Sequence, residues 1–484
     1  MLVDTRDFTC RETVSGAILR GIAPDGGLFL PTGLEEKQID LSSLVGLSYP
    51  ETAKKVLAPL LQDFTKQEIS DCVDAAYTRF DDARIAPLTK VGEHYVLELF
   101  HGPTKAFKDF ALQLLPHLIT VSKQKNGKAE TLLILTATSG DTGKAALEGF
   151  RDVPGTGVIV FYPEDGVSAV QKKQMVSQTG KNVRVCAIKG NFDDAQTGVK
   201  TLFADASLAE ELKRRGYVFS SANSINFGRL APQVAYYFYA YATLVGNGTL
   251  NLGDPVDFTV PTGNFGDILA GYLALRMGLP IRRLFCASNQ NNVLTDFLAT
   301  GCYDRRRVFH KTASPSMDIL VSSNLERLFP LMGASDKETA GYMRALSETG
   351  CYTVSEALRN KIAETFGAGF ADDEKTLATI RNVFLKEHYL MDTHTAVAYA
   401  VAEEADHAGV PSVVLSTASP YKFSPAIQPL FGDPAEDEWE GMEKLRDATG
   451  VPIPAELAGL QNAPVLHTAS VAKEEMKAFV LSVL

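Results

Sequence analysis

A lysine flanked by aromatic side chains is the first group in this sequence that could carry chemistry. The segment 101–115 reads HGPTKAFKDFALQLL and places Lys108 between Phe107 and the pair Asp109 and Phe110, with a second lysine at Lys105. An ordinary lysine packs its stem and keeps its ammonium group in water. A lysine that is partly removed from water holds its proton less tightly, and its amine can attack a carbonyl group. Lys108 is therefore either a packed lysine or a nucleophile that forms Schiff bases.

A Gly-rich turn, TSGDTG at 138–143, follows an apolar run at 132–135 and precedes a helical pattern. Such a turn directs several backbone N–H groups and a helix dipole at one anion, such as a carboxylate or a phosphate. A nucleotide-binding G-x-x-x-x-G-K-[ST] motif is excluded, because Gly140 and Gly143 are too close together and Ala145 replaces the required hydroxyl. The residues support an anion site and a plain turn equally.

A second turn of the same kind, GNFGD at 263–267, follows a predicted strand at 256–260. Its two glycines allow close approach of a phosphate, and we expect Asp267 to cap the following helix. Two such turns at the carboxyl ends of strands indicate one shared crevice. With the aromatic-flanked lysine, they favour a carbonyl cofactor that carries a phosphate, and pyridoxal phosphate (PLP) has both groups.

The elements that must position these residues follow a repeating pattern from about residue 131. Short β-rich runs alternate with amphipathic segments up to the run at 412–416, which predicts βαβ units and a mainly parallel sheet, hence an α/β fold. The first hundred residues read as a separate portion, with helical stretches at 51–63 and 66–80. Segment 360–382 is predicted to form a helix, a short glycine turn and a second helix.

Composition limits the function classes. A chain of 484 residues with a net charge of −11 is large enough for two or three domains, and its few basic runs give little support to nucleic-acid binding. The six cysteines form no C-x-x-C pair, so we expect a reducing compartment and no metal site. The sequence shows no signal peptide and no membrane-spanning run, and we therefore expect a cytoplasmic protein.

Seven motifs together resemble the threonine synthase family, in its longer form found in some bacteria and in fungi. They are FHGPTKAFKDFALQLL, TATSGDTGKAALEGF, SINFGRLAPQ, PTGNFGDILAGYLALRMGLP, SPSMDI, SSNLERL and DTHTAVA, and the similarity runs in order from RGIAPDGGLFLP to LSTASPYKF. The resemblance implies the fold of the tryptophan-synthase β family of PLP enzymes, with two open parallel-type sheets flanked by helices and an N-terminal portion. The implied domains are 1–95, 96–127 with 237–484 for the large PLP-binding domain, and 128–236 for the small one.

The resemblance also implies a role for individual residues. Lys108 would bind the cofactor as a Schiff base and move protons, and Thr417 would meet the pyridine nitrogen. The cofactor phosphate would lie on Gly263, Asn264, Phe265, Gly266 and Asp267. The substrate would contact Thr138, Ser139, Gly140, Asp141 and Thr142 through its α-carboxylate. Because an acidic protein needs local positive or polar groups to bind the substrate phosphate, our candidates for that contact are Arg229, Lys105, Ser314, Ser316 and Asn324, and the alternative for each is a structural role. Many related enzymes have asparagine at the position of Asp141, so the contact to the ring hydroxyl is expected elsewhere, at Asn223 or Asn226.

The implied reaction converts O-phospho-L-homoserine and water to L-threonine and phosphate, with this small molecule as the only expected partner of a monomer or homodimer. Three alternatives share some or all of the motifs. The first is a PLP-dependent phospho-lyase that gives 2-oxobutyrate from the same substrate, and the second is another PLP enzyme such as a serine/threonine dehydratase. The third is a nucleotide-binding or dinucleotide-binding protein without PLP. Neither His101 nor His394 receives a catalytic role, because lone histidines usually serve packing or hydrogen bonding.

Overall fold

A computed structural model describes residues 1–138, 140–164 and 167–484. The strands are β1 Leu2–Asp4, β2 Arg11–Glu12, β3 Phe29–Pro31, β4 Leu88–Val91, β5 His94–Glu98, β6 Thr131–Ala137, β7 Thr156–Pro163, β8 Val183–Ile188, β9 Tyr217–Ser220, β10 Val256–Pro261, β11 Ile281–Ser288, β12 Cys302–Asp304, β13 Cys351–Thr353, β14 Phe366–Phe370, β15 Ser412–Ser416 and β16 Ala469–Val471. In the described part of the chain they form four sheets.

Helices cover most of the remaining regular structure. They are α1 Val14–Arg20, α2 Tyr49–Leu57, α3 Lys66–Ala76, α4 Asp109–Leu112, α5 Leu115–Lys125, α6 Asp141–Phe150, α7 Ala169–Val176, α8 Phe192–Ala204, α9 Ala206–Arg214, α10 Phe227–Gly246, α11 Gly266–Arg276, α12 Val293–Thr300, α13 Leu325–Leu331, α14 Asp336–Thr349, α15 Glu356–Thr365, α16 Asp373–Glu387, α17 Thr393–Glu404, α18 Ser424–Ile427, α19 Glu438–Thr449, α20 Ala455–Ala458 and α21 Met476–Ser482. None of these helices has the length and apolar character needed to cross a membrane.

The larger sheet has six strands in the order β14-β11-β10-β15-β5-β4. All its pairs are parallel except β4 with β5, a short antiparallel hairpin at one edge. Every residue of β10 and β15 is buried, as expected for central strands covered on both faces. The carboxyl ends of β10 and β15 therefore lead side by side into the turns after Pro261 and Ser416.

The smaller sheet has five parallel strands in the order β16-β8-β7-β6-β9. Its central strand β7 is buried along its whole length. The predicted mainly parallel α/β architecture is confirmed in both sheets. The predicted domain boundaries stay a prediction, and the pairing of β16 with β8 brings part of the C-terminal segment to the smaller sheet.

The N-terminal portion combines a three-stranded antiparallel sheet, β2-β1-β3, with α2 and α3. Each of the two helices begins with a capping box, formed by Ser48 with Glu51 and by Thr65 with Glu68. The predicted helix 51–63 ends earlier, at Leu57, because Pro59 has no N–H group to continue the helix.

The prediction for segment 360–382 is wrong at its centre. The glycine segment is not a turn between helices but β14, which pairs in parallel with β11 at the edge of the larger sheet. A Cβ at Gly367 would lie 2.4 Å from the ring of Phe285, and one at Gly369 would lie 2.9 Å from Val401. The glycines therefore allow this strand to lie close to its neighbours, a requirement that helical periodicity does not reveal.

Candidate active site

Lys108 precedes α4, and its side chain is 13% exposed. Its Nζ lies 3.3 Å from Oγ of Ser316 and 3.7 Å from Oδ2 of Asp141. Burial lowers the pKa of Lys108, Lys422 and Arg229 lower it further, and Asp141 opposes them. The environment thus weakens proton binding at Lys108, which is the direction required for a nucleophile or a base.

The turn 263–267 forms a backbone cradle at the start of α11. Phe265 adopts a left-handed conformation with φ of 60°, and its buried ring packs 5.7 Å from that of Phe366. Among the described residues, no protein acceptor receives a hydrogen bond from the N–H groups of 263–267. A Cβ at Gly263 would lie 2.7 Å from the carbonyl oxygen of Ser316. Consecutive N–H groups at a helix N-terminus fit a phosphate, so these residues suit the phosphate of PLP.

Residues 322–324 hold this cradle from outside. Oγ of Ser322 donates to the carbonyl oxygen of Gly263 at 2.8 Å, and both N and Nδ2 of Asn324 donate to that of Asn264 at 3.0 Å. Oδ1 of Asn324 accepts a hydrogen bond from Arg327. Both ends of the Asn324 amide are therefore engaged within the protein, and the structure places this residue as a support of the cradle.

The prediction that Asp267 caps α11 is wrong, because the helix has no side-chain cap. The carboxylate instead accepts hydrogen bonds from the hydroxyls of Tyr236 and Tyr237 on α10. Its Oδ2 has no partner among the described residues, and burial raises the pKa of Asp267 to about 7. The left-handed turn at Phe265 takes the N-cap position, and the acid lies against α10.

The turn 138–143 joins β6 to α6, and Ser139 lies outside the described residues. Oγ1 of Thr138 accepts hydrogen bonds from the N–H groups of Gly140 and Gly143, each at 3.0 Å, which closes the turn. Thr142 lies half-buried in the first turn of α6. Asp141, which lies in this turn, is the residue that approaches Lys108.

Arg229 on α10 is a buried cation whose only described acceptor is a carbonyl oxygen. Its Nη1 donates to the carbonyl oxygen of Ala222 at 2.6 Å, and its Nε has no partner among the described residues. Burial lowers the pKa of Arg229 to about 10, and its charge in turn acts on the pKa of Lys108. An incompletely paired guanidinium near Lys108 fits an anionic ligand.

Lys105 is not grouped with Lys108, although only three positions separate them. It has a φ of 60°, and its Nζ pairs with Asp81 at 2.5 Å and with Glu456 at 2.9 Å. Two carboxylates thus neutralise the ammonium group that the sequence offered as a substrate contact. His101 joins the same cluster through Asp81.

Ser316 is held over the crevice by a histidine that sequence reasoning left without a role. The backbone N–H of Ser316 donates to Nε2 of His394 at 3.1 Å, and Nδ1 of that ring contacts Oδ1 of Asp392 at 2.8 Å. Because Nε2 accepts, Nδ1 carries the proton in this arrangement. Ser314 is buried nearby, and its Oγ accepts from Asn289 at 3.0 Å. The motif DTHTAVA therefore positions the motif SPSMDI.

Thr417 follows β15 and lies next to the lysine segment. Its carbonyl oxygen accepts from the N–H of Phe107 at 2.8 Å. Its hydroxyl makes no hydrogen bond among the described residues, whereas the hydroxyl of Ser416 pairs with Oγ1 of Thr395 at 3.0 Å. Thr417 is the hydroxyl of this pair that remains for a ligand, as required of a contact to the pyridine nitrogen.

Asn223 and Asn226 were the two residues expected to contact the ring hydroxyl of PLP, and the structure supports this contact for neither. Asn226 caps α10, and its amide donates to the carbonyl oxygens of Ile18 and Ser221. Asn223 is exposed.

The residue that sequence reasoning missed is Lys422 of the motif LSTASPYKF, whose Nζ pairs with Asp141 at 2.5 Å. Its position five residues after Thr417 was the available signal.

Comparisons with known proteins identify the family to which the chain belongs. Residues 83–361 match the family described as "Pyridoxal-phosphate dependent enzyme", 2–77 match "Threonine synthase N terminus" and 395–480 match "Threonine synthase, C-terminal". The chain is 41% identical to threonine synthase of Pseudomonas aeruginosa over 434 residues, which covers 88% of this chain and 89% of that one.

Two further relatives extend the comparison. The chain is 40% identical to human Threonine synthase-like 1 over 437 residues, or 86% of this chain, but it spans only 58% of that relative's length. The structure of PLP-bound threonine synthase from Brucella melitensis superposes with a TM-score of 0.88 and 38% identity, covering 100% of this chain and 99% of that one. The predicted PLP-enzyme fold is confirmed, and the chain belongs to the threonine synthase family of pyridoxal-phosphate dependent enzymes.

Proposed function

We propose that this protein is a PLP-dependent threonine synthase that converts O-phospho-L-homoserine and water to L-threonine and phosphate. The observation that supports the proposal is a backbone cradle and, separate from it, a buried and incompletely paired guanidinium around one lysine. The cradle 263–267 suits the phosphate of the cofactor. Arg229, buried and without an acidic partner among the described residues, suits a second anion on the substrate. An enzyme acting on an uncharged side chain would have no use for this second, costly cation.

The proposed cofactor contacts are Lys108, the cradle Gly263, Asn264, Phe265, Gly266 and Asp267, and the hydroxyl of Thr417. Bound PLP supplies an electron sink for the amino acid attached to it. Because Thr417 contributes a hydroxyl and not a carboxylate, it would not hold the pyridine nitrogen protonated. The ring of bound PLP would therefore be a weaker electron sink than a ring whose nitrogen a carboxylate keeps protonated.

The proton transfers fall to Lys108. Its amine would take a proton from Cα and then one from Cβ of the substrate, and phosphate would leave from Cγ as the Cγ–O bond breaks. Arg229 would hold the leaving phosphate, with Ser316 beside the amine. Water then supplies the hydroxyl at Cβ, while protons return to Cα and Cγ. The balance is one substrate and one water consumed for one threonine and one phosphate.

The remaining substrate contacts are also proposals. The turn Thr138 to Thr142, including Ser139, would bind the α-carboxylate. Lys105, Ser314 and Asn324 rank below Arg229 as phosphate ligands, because each is engaged by other protein groups. We also propose the domain division 1–95, 96–127 with 237–484, and 128–236, except that β16 at 469–471 joins the smaller sheet. We further propose a cytoplasmic location, which fits the scattered cysteines, and a monomeric or homodimeric state.

The test is a product assay with purified protein, PLP and O-phospho-L-homoserine, in which NMR quantifies phosphate, threonine and 2-oxobutyrate. We expect threonine and phosphate in equal amounts. Phosphate with 2-oxobutyrate would replace the proposal by a phospho-lyase, and no turnover would refute the substrate. Lys108→Ala is the control: it should abolish turnover and the visible absorbance of bound PLP, whereas a protein that never acquires this absorbance would be no PLP enzyme.

A further inference from the structure

Lys422 is a buried lysine to which neither the sequence motifs nor the proposed reaction assigns a task. It lies in the turn after β15, and its side chain is fully buried. Its Nζ donates to the carbonyl oxygen of Thr104 at 2.9 Å and pairs with Oδ1 of Asp141 at 2.5 Å. Burying an ammonium group is costly, so a lysine in this position needs its anionic partner.

Asp141 stands between two lysines. Its Oδ1 contacts Lys422 and also accepts from Nε2 of Gln171 at 2.9 Å, while its Oδ2 lies 3.7 Å from Nζ of Lys108. Lys422 reaches it from the end of the larger sheet, and Asp141 itself begins α6 after β6 of the smaller sheet. The ion pair therefore spans the crevice between the two sheets, and its carboxylate lies 3.7 Å from the amine of Lys108.

We infer that Lys422 is a positioning residue that neutralises and orients Asp141, so that the carboxylate holds Lys108 in place without locking it as an ammonium ion. The inference rests on the role of Lys108 in the proposed function. An unneutralised carboxylate 3.7 Å away would stabilise the protonated nitrogen, and a base must release its proton. With Lys422 in place, the pair Asp141 and Lys422 is neutral overall, and Asp141 can still orient the amine.

Several other charged or titratable groups lie around the pair Asp141 and Lys422. The charges that act on Lys108 are Asp141, Lys422 and Arg229 of α10. Asp109 of α4 also faces Lys422, but its carboxylate is taken up by Thr104 N at 2.8 Å, Thr104 Oγ1 and Gln113, and burial raises its pKa to about 6. His394 of α17 packs against Phe423 and serves Ser316. None of these groups duplicates the contact of Lys422 with Asp141.

The test measures the visible absorbance of the PLP-loaded full-length protein as a function of pH, because the midpoint reports protonation of the Lys108 nitrogen. Lys422→Met should raise the midpoint by about one pH unit or more, since it leaves Asp141 facing Lys108 alone. Asp141→Asn should lower it, because it leaves two neighbouring lysines without the acid. The double variant D141N/K422M should return to within about half a unit of the wild type, because it removes the opposed charges together.

The matched control is Lys144→Met, which removes a half-buried lysine of α6 that pairs with Glu148 at 3.1 Å, and should leave the midpoint unchanged. If Lys422→Met does not fold, D141N and D141N/K422M must still differ by about one unit. Equal midpoints in these two variants, or shifts of both single variants in the same direction, would overturn the inference. The measurement needs no substrate, so failure of the proposed reaction would appear separately, in the product assay.

Discussion

Replacement of Arg229 by methionine distinguishes the free-energy cost of burying its guanidinium from the contribution of this group to anion binding. Burial lowers the pKa of Arg229 from its ordinary 12.5 to about 10. One pKa unit corresponds to about 1.4 kcal/mol, so the folded protein disfavours the charged guanidinium by about 3 kcal/mol at pH 7, below both pKa values. The sign follows from the depressed pKa: this penalty is present at neutral pH and disappears only as the pH rises above about 10.

The variant loses one favourable contact as well. The charge-assisted hydrogen bond to the carbonyl oxygen of Ala222 contributes about 2 kcal/mol. The loss of this bond and the relief of the penalty nearly cancel. Arg229→Met should therefore be about as stable as the wild type, or up to about 1 kcal/mol more stable, while it loses its affinity for anions.

The assay is urea unfolding of the PLP-loaded protein with and without inorganic phosphate. With the cofactor in its cradle, added phosphate reports the second anion site, and at one hundred times its dissociation constant it should stabilise the wild type by about 2.7 kcal/mol. Arg229→Met should show no such gain. Residual phosphate stabilisation equal to that of the wild type would refute the assignment of Arg229.

Arg327 provides the matched control for this experiment. It is fully buried too, and burial lowers its pKa to about 9, but its guanidinium donates to the carbonyl oxygens of Phe29 and Ile225 and to Asn324. By the same reckoning, Arg327→Met relieves a burial penalty of about 5 kcal/mol but loses three charge-assisted hydrogen bonds of about 2 kcal/mol each, so it should be about 1 kcal/mol less stable than the wild type. Equal destabilisation in both methionine variants would show that Arg229 is a structural residue.

Three further predictions concern the cofactor site. Thr417→Val should weaken PLP binding about tenfold, measured by absorbance titration, because it removes one hydrogen bond of about 1.4 kcal/mol. Gly263→Ala should weaken PLP binding at least about tenfold in the same titration, because its Cβ would lie 2.7 Å from the carbonyl oxygen of Ser316. Asp267→Asn should flatten the pH dependence of unfolding: with the pKa raised from 3.8 to about 7, the wild type loses about 4 kcal/mol between pH 4 and pH 7, and urea titrations across this range measure the difference.

Each of these predictions has its own check. Ser416→Ala removes a hydroxyl already bonded to Thr395 and should leave PLP affinity unchanged, so equal losses in the two hydroxyl variants would contradict the role of Thr417. Gly341→Ala in α14 meets no atom within 4 Å and should raise stability by up to about 1 kcal/mol. For Asp267→Asn, the free energy of unfolding should depend less on pH than that of the wild type. An equal dependence on pH would show that Asp267 is not the titrating group.

Local patterns were sufficient to predict much of the fold. Alternating β-rich and amphipathic runs predicted the parallel sheets, since burial on both faces produces continuous apolar runs such as 132–135 and 413–415. They were insufficient at Phe366–Phe370, where strand formation depends on Phe285 and Val401 from distant segments. The end of α2 at Leu57 could have been predicted from Pro59, which has no N–H group to continue the helix.

The sequence by itself identified Lys108, the two Gly-rich turns and Thr417, because glycine, turn and strand-end signals are local and the motif resemblance is linear. The tertiary structure alone paired Lys105 with carboxylates, placed Asp267 against two tyrosines and brought Lys422 to Asp141. These contacts join residues 24 to 351 positions apart. The state of a charged group depends on burial and on its neighbours in space, so only the folded chain shows that Lys105 is held by two carboxylates while Lys108 keeps the contacts proposed for a base.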